Sequence, residues 1–83
     1  MDKVSTKGKL TISQLKKGEK GIIKNIDIEN IPLKLIELGC FVGSEVEVIQ
    51  KASFGDPIYV NMNNSYLSIR KEMASLIEIE KLQ

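Results

Sequence analysis

Residues 58–70 read IYVNMNNSYLSIR, and this stretch decides the fold. Apolar and polar side chains alternate through residues 58–62, and they alternate again through residues 66–70. Such alternation is typical of a strand that buries one face and exposes the other. The Asn-Asn-Ser between them favours the positive φ angles of a tight hairpin. The stretch therefore predicts two antiparallel strands joined by a short turn.

Three more segments outside this hairpin have strand character. Residues 20–28 hold four isoleucines without clean alternation, which indicates a bulge or burial on both faces. Residues 43–48 start with Gly-Ser and then alternate glutamate with valine, and residues 76–80 start with leucine and then alternate isoleucine with glutamate. The sequence thus predicts five short strands in total.

A short helix is predicted between the first and second of these strands. Residues 30–32 are Asn-Ile-Pro, which suits a helix start because proline is well tolerated in the first turn. Leu35 and Leu38 then lie on one face, and Gly39 follows where a left-handed residue commonly ends a helix. A helix this short is not stable alone, so it must pack against the sheet.

These elements predict a mainly β fold, a small SH3-like, partly open five-stranded barrel with a short helix after the first strand. A length of 83 residues allows one domain, and the scarcity of aromatic residues makes the core aliphatic. Residues 1–10 lack periodicity and are predicted to be a flexible basic extension, with the barrel over residues 11–83. Residues 1–24 carry seven lysines against two acidic residues, so the extension is either a solvated tail or an arm that contacts an acidic surface.

The composition excludes most catalytic chemistry. The chain has no histidine, which removes the usual general base and the commonest metal ligand. Cys40, the single cysteine, lies beside Phe41 and is expected to be a small buried apolar residue. We therefore expect no enzyme, no catalytic residue, no cofactor and no dedicated metal site. A weak carboxylate site for Fe²⁺ or another divalent metal stays open.

An ordered set of motifs runs from about Thr11 to Lys81. The motifs are Leu15-x-x-Gly18-Glu19-x-Gly21, Leu35-x-x-Leu38-Gly39-x-x-x-Gly43-x-x-Val46, Gly55-Asp56-Pro57-Ile58, Leu67-Ser68-Ile69-Arg70 and Ala74. No single motif is specific, but in this order and at these spacings the set resembles the FeoA family of bacterial ferrous iron uptake. The resemblance implies an SH3-like domain, in agreement with the strand pattern.

The same resemblance implies a partner and a location. It points to an accessory protein that binds the cytoplasmic part of FeoB, the membrane GTPase that moves Fe²⁺ across the cytoplasmic membrane. The expected location is the cytoplasm, peripheral to the inner face of that membrane through the partner. Transition-metal binding is also implied by the family, although a chain without histidine or clustered thiols does not favour a firm iron site.

We expect the contact surface to contain apolar side chains beyond those that the core requires. The predicted contact residues are Ile36, Cys40, Phe41, Phe54 and Tyr59. The alternative function is an SH3-like regulatory module that binds a metal-dependent transcriptional repressor. Nucleic acid is not expected as a partner because the aromatic residues lie outside the basic segment. Direct membrane insertion is not expected either, and self-association through exposed strand edges stays open.

Overall fold

The computed structural model describes residues 10–82, which form one six-stranded antiparallel sheet with few helices. The predicted mainly β fold is confirmed, with one strand more than the five expected. The strands are β1 (Leu10–Thr11), β2 (Lys20–Ile26), β3 (Glu45–Lys51), β4 (Ile58–Met62), β5 (Ser65–Ile69) and β6 (Ile77–Lys81). The helices are α1 (Leu33–Glu37), which follows β2 as predicted, and α2 (Lys71–Ala74), and Ile12–Gln14 form a 3-10 turn. The spatial strand order is β1-β6-β2-β3-β4-β5.

The strand that the sequence did not predict is β1. It is only two residues long, and it pairs with β6 through Leu10 opposite Ile79 and Thr11 opposite Glu78. Of the predicted flexible extension, residues 1–9 lie outside the described part of the chain, whereas Leu10 belongs to this strand. The first strand of the sheet is therefore paired with the last strand in the sequence.

The β4–β5 hairpin has the predicted geometry. Asn63 and Asn64 have φ angles of 52° and 71°, the left-handed values that a two-residue hairpin turn needs. Ser65 already pairs with Met62, so the turn is two residues long. From this turn the register continues to Ile58 opposite Ile69, which places the apolar side chains of both strands on the inner face.

The irregular pattern of β2 has the physical cause that the sequence indicated. The β2–β6 register shifts between Ile23 and Asn25, and the β3–β4 register shifts between Val48 and Gln50. Bulges of this kind bend a strand and increase its twist, so the sheet curls around its inner face.

The curled sheet encloses an aliphatic core, and α1 lies over it with Leu35 and Ile36 packed against the buried set. The fully buried side chains include Ile12, Leu15, Ile23, Val46, Val48, Ile58, Val60, Met62 and Ile77. Gly39 ends the helical segment with a φ of 116°, as predicted, and a Cβ built there would lie 2.8 Å from the Cβ of Asn63. The end of α1 therefore touches the tip of the β4–β5 hairpin.

Candidate functional site

The five predicted contact residues differ widely in exposure. Phe54 is 93% exposed, Phe41 is 45% exposed and Tyr59 is 43% exposed, whereas Ile36 is partly buried against the core. Cys40 is fully buried. Its side chain fills the core as a small apolar group, so it does not belong to a contact surface, and the prediction that it contacts a partner is corrected on this point.

The structure also separates the remaining four residues. Ile36 and Phe41 lie near the end of α1, which touches the hairpin tip after β4. Phe54 lies in the turn before β4, at the opposite end of that strand. Five residues of strand span about 13 Å between the first and last Cα atoms, so these side chains form two areas and not one patch.

An exposed aromatic pair lies on the outer face of the β4–β5 hairpin. The rings of Tyr59 on β4 and Tyr66 on β5 stack with centroids 6.3 Å apart and planes at 24°. Tyr59 is opposite Ser68 and Tyr66 is opposite Asn61, so the two tyrosines are diagonal neighbours on the outer face. Tyr66 is 63% exposed, although it is not among the predicted contact residues. The signal was present, because hairpin register alone places Tyr66 on the face that carries Tyr59.

The turn that carries Phe54 is fixed at its base. The Asp56 carboxylate accepts a hydrogen bond from the Lys71 backbone N–H at 2.9 Å and lies 3.7 Å from the Arg70 guanidinium. Both contacts tie the turn to the junction between β5 and α2. Phe54 is thus a nearly fully exposed aromatic ring on an anchored turn, which suits an interface anchor because little order has to be gained on binding.

An apolar groove of about 330 Å³ lies between α1, β5 and α2, and we call it the α1 groove. Its lining residues are Pro32, Lys34, Leu35, Leu38, Leu67, Ser68, Ile69, Arg70 and Met73. Leu33 and Val42, on and after α1, are 68% and 59% exposed, and Leu38 is 36% exposed. Apolar side chains concentrated around one short helix mark a surface suited to protein contact.

Side-chain chemistry in the described residues does not favour a resident metal or a nucleophile. Residues 10–82 contain no group of three or more cysteine or acidic side chains placed to hold a metal ion. Burial raises the pKa of the Cys40 thiol, so this sulfur is held in its neutral form, which is a poor ligand and a poor nucleophile. No helix in this described range is both long and apolar enough to span a bilayer.

Comparison with known proteins identifies the family. The profile of the FeoA domain matches residues 10–81, which covers the described sheet from β1 to β6. The chain belongs to the FeoA domain family. This confirms the family resemblance that the motifs indicated.

The FeoA domain is also similar to part of a larger protein from Porphyromonas gingivalis (strain ATCC BAA-308 / W83), a Fe(2+) transport protein A/Fe(2+) transporter FeoB fusion protein. The two are 29% identical over 72 residues. The match covers 86% of this chain but only 8% of the fusion protein.

Solved structures support the fold of this FeoA domain. The FeoA-like protein of Clostridium acetobutylicum aligns with a TM-score of 0.81 at 28% identity, over 90% of this chain and 88% of that one. The FeoA of Stenotrophomonas maltophilia, an SH3 domain protein complexed with zinc, aligns with a TM-score of 0.73 at 22% identity, over 86% and 89% of the two chains. The SH3-like architecture predicted from the strand pattern is therefore confirmed.

Proposed function

We propose that this FeoA domain is a non-catalytic accessory protein of bacterial ferrous iron uptake that binds the cytoplasmic part of a FeoB-like membrane GTPase. The observation that carries the proposal is the Porphyromonas gingivalis relative, in which a sequence similar to this chain is covalently joined to the transporter FeoB. Covalent linkage holds two modules at a high effective concentration. A fusion of this kind favours two proteins that also work together when they are separate chains.

On this proposal the domain works in the cytoplasm and reaches the inner face of the membrane through its partner. The chemistry of the described residues agrees with a binding role. The accessible aromatic and aliphatic side chains lie on the outside of a sheet whose inside is filled by apolar packing. The SH3-like fold supplies the platform, and its exposed side chains supply the recognition.

We assign the contact to the accessible members of the predicted set. Ile36 is on α1 and Phe41 follows it, whereas Phe54 is in the β3–β4 turn and Tyr59 is on β4. Replacing Phe54 gives the clearest test of which of the two areas contacts the partner. Because its ring is 93% exposed, removing the ring changes the free energy of unfolding by no more than about 0.5 kcal/mol. An aromatic anchor at the centre of an interface, in contrast, contributes about 2 kcal/mol or more to binding.

The test is a titration of the isotope-labelled chain with the purified cytoplasmic domain of FeoB, followed by amide shifts in NMR spectra. We expect saturable shifts, and we expect Phe54→Ala to weaken binding by about 30-fold while leaving thermal unfolding unchanged. Ile28→Ala is the matched control, because Ile28 is 65% exposed and lies outside the proposed contact. Absence of shifts at saturating concentration, with or without guanine nucleotide, would refute the proposed function.

A further inference from the structure

The outer edge of β5 has backbone groups without a strand partner. β5 is the last strand of the sheet, and β4 is its one neighbour in the strand order. In a two-residue hairpin the residues that flank the turn form a hydrogen-bonded pair, and every second pair after that is also hydrogen-bonded. Ser65, Leu67 and Ile69 therefore bond to β4, while the N–H and C=O groups of Tyr66 and Ser68 point away from the sheet. No backbone group within residues 10–82 bonds to them.

This edge lacks the devices that usually protect a sheet against pairing with another strand. Natural edge strands are commonly very short, charged, bulged or interrupted by proline. The residues Ser65–Ile69 contain no charge and no proline, and their register with β4 has no shift. The opposite edge, β1, is only two residues long. The sheet is thus protected on one side and open on the other.

The two surfaces beside the open edge differ in character. On the inner side lies the α1 groove, into whose lining Leu67 and Ile69 project from β5. On the outer side the stacked rings of Tyr59 and Tyr66 form a flat aromatic face. Successive side chains of a strand point to opposite faces. A strand that adds to β5 would therefore direct alternate side chains into the groove and onto the tyrosines.

The charge at the groove selects the kind of strand that fits. Its lining includes the cations of Lys34 and Arg70 and no carboxylate. Arg70 lies 3.7 Å from Asp56, but this contact is long and the Arg70 side chain is 73% exposed, so water screens the pair and it neutralises little of the Arg70 charge. A second copy of the chain would bring a second Lys34 and a second Arg70 to the same place, and like charges disfavour that pairing. A segment that carries a carboxylate is complementary.

We propose that the partner supplies an extended segment that adds to the free edge of β5, with apolar side chains in the α1 groove and an acidic side chain beside Lys34 and Arg70. Main-chain hydrogen bonds from Tyr66 and Ser68 provide the register, and the groove and the tyrosines provide the selectivity. This mode of binding deepens the proposed function and rests on it for the identity of the partner.

The decisive pair of variants is Ser68→Pro and Ser68→Ala. Proline removes the N–H that points away from the sheet and is tolerated at such an edge position, because the bonds to β4 come from Leu67 and Ile69. Alanine removes the hydroxyl but keeps the N–H. In the titration with the FeoB cytoplasmic domain, we expect Ser68→Pro to weaken binding by about tenfold or more and Ser68→Ala to bind as the unmodified chain does. Equal binding by Ser68→Pro and the unmodified chain would overturn strand addition and leave the proposed function intact.

A second probe makes the inference independent of FeoB. A short blocked peptide with valine, glutamate and valine at alternate positions and threonine between them presents apolar and acidic side chains to the groove together. It should shift the amides of Tyr66 and Ser68, and the same peptide with lysine for glutamate should not. Such a result without FeoB binding would support the edge site and refute the proposed function. Shifts away from β5, or equal shifts with both peptides, would overturn the inference. So would a dimer in analytical ultracentrifugation that Ser68→Pro dissociates, because a second copy would then occupy the edge.

Discussion

Replacing Gly21 by alanine should destabilise the fold through a single close contact between β2 and β6. Gly21 is buried in β2, and a Cβ at this position would lie 2.8 Å from Ile79 Cδ1 and 3.1 Å from the carbonyl oxygen of Glu80. The first atom is the end of a flexible side chain, but the second is backbone of the paired strand. Forcing one methyl group into a packed site of this kind costs about 1–3 kcal/mol. For a domain of this size, that loss lowers the melting temperature by about 4–8 °C per kcal/mol.

Two matched variants separate the steric cause from a general intolerance of glycine replacement. Ile79→Val removes the Cδ1 atom, so it should cost about 0.5–1.5 kcal/mol alone and relieve part of the Gly21→Ala penalty in the double variant. Gly18→Ala meets no atom within 4 Å but imposes a φ of 87° on a residue with a Cβ. It should cost about 1–2 kcal/mol, and Ile79→Val should not relieve that cost.

Urea unfolding followed by circular dichroism gives the four free energies for the cycle. The contact explanation predicts that the double variant is more stable than the sum of the single effects by several tenths of a kcal/mol. Strict additivity would show that contact with Ile79 Cδ1 does not cause the cost. A Gly21→Ala protein as stable as the original would show that β2 and β6 adjust without cost. The close approach of the two strands would then have no energetic meaning.

Two further predictions concern ionisable groups. The Glu19 carboxylate lies 2.7 Å from Lys81 Nζ and accepts a hydrogen bond from the Lys16 backbone N–H at 2.8 Å; these contacts, that of Lys81 foremost, lower the pKa of Glu19 below its ordinary 4.5. Because this pKa is lowered in the folded state, the Glu19 carboxylate stabilises the fold above about pH 4.5, and this stabilisation is lost on acidification. The urea midpoint of Glu19→Gln should therefore depend less on pH between neutral pH and about pH 3 than that of the unmodified chain. Cys40 should resist a thiol reagent in the native protein and react in step with urea unfolding, and Cys40→Ser should cost about 1–3 kcal/mol. Rapid labelling without denaturant, or an unchanged acid limb in the glutamine variant, would contradict these two expectations.

Most of the sheet could be predicted from the sequence because the alternation of apolar and polar residues reports directly which side chains are buried. The strict alternation around Val46 and Val60 fixes which face is buried, and Asn63-Asn64 fixes the turn. β1 was missed for a physical reason. Two residues are too few to show a period, and their strand conformation comes from pairing with β6, which no local pattern reveals.

The helix start was predicted slightly too early. The start was expected within residues 30–32, but the Asn30 backbone N–H donates to the Asp27 carbonyl and its side-chain amide donates to the Asp27 carboxylate. These bonds form a turn of their own, and the helix begins after Pro32. A residue that stabilises a local turn equally well is not distinguished from a helix cap by sequence alone.

The contact surface was harder to predict than the fold. The sequence does not distinguish apolar loop residues that point inward from those that point outward. Cys40 and Phe41 are neighbours, yet Cys40 is buried and Phe41 is exposed. Which loop residues share an area depends on how far apart β4 places them. The free edge of β5 follows from strand order, which becomes known only when all six strands are assembled.

The pairing of β1 with β6 has a consequence for how this domain is used. Leu10 lies opposite Ile79, so the first and last strands of the described sheet lie side by side. A domain whose first and last strands are adjacent can be inserted into or joined to another polypeptide without disrupting its fold. The same geometry allows a larger protein to carry a module of this kind as a built-in segment, as the Porphyromonas gingivalis fusion protein does.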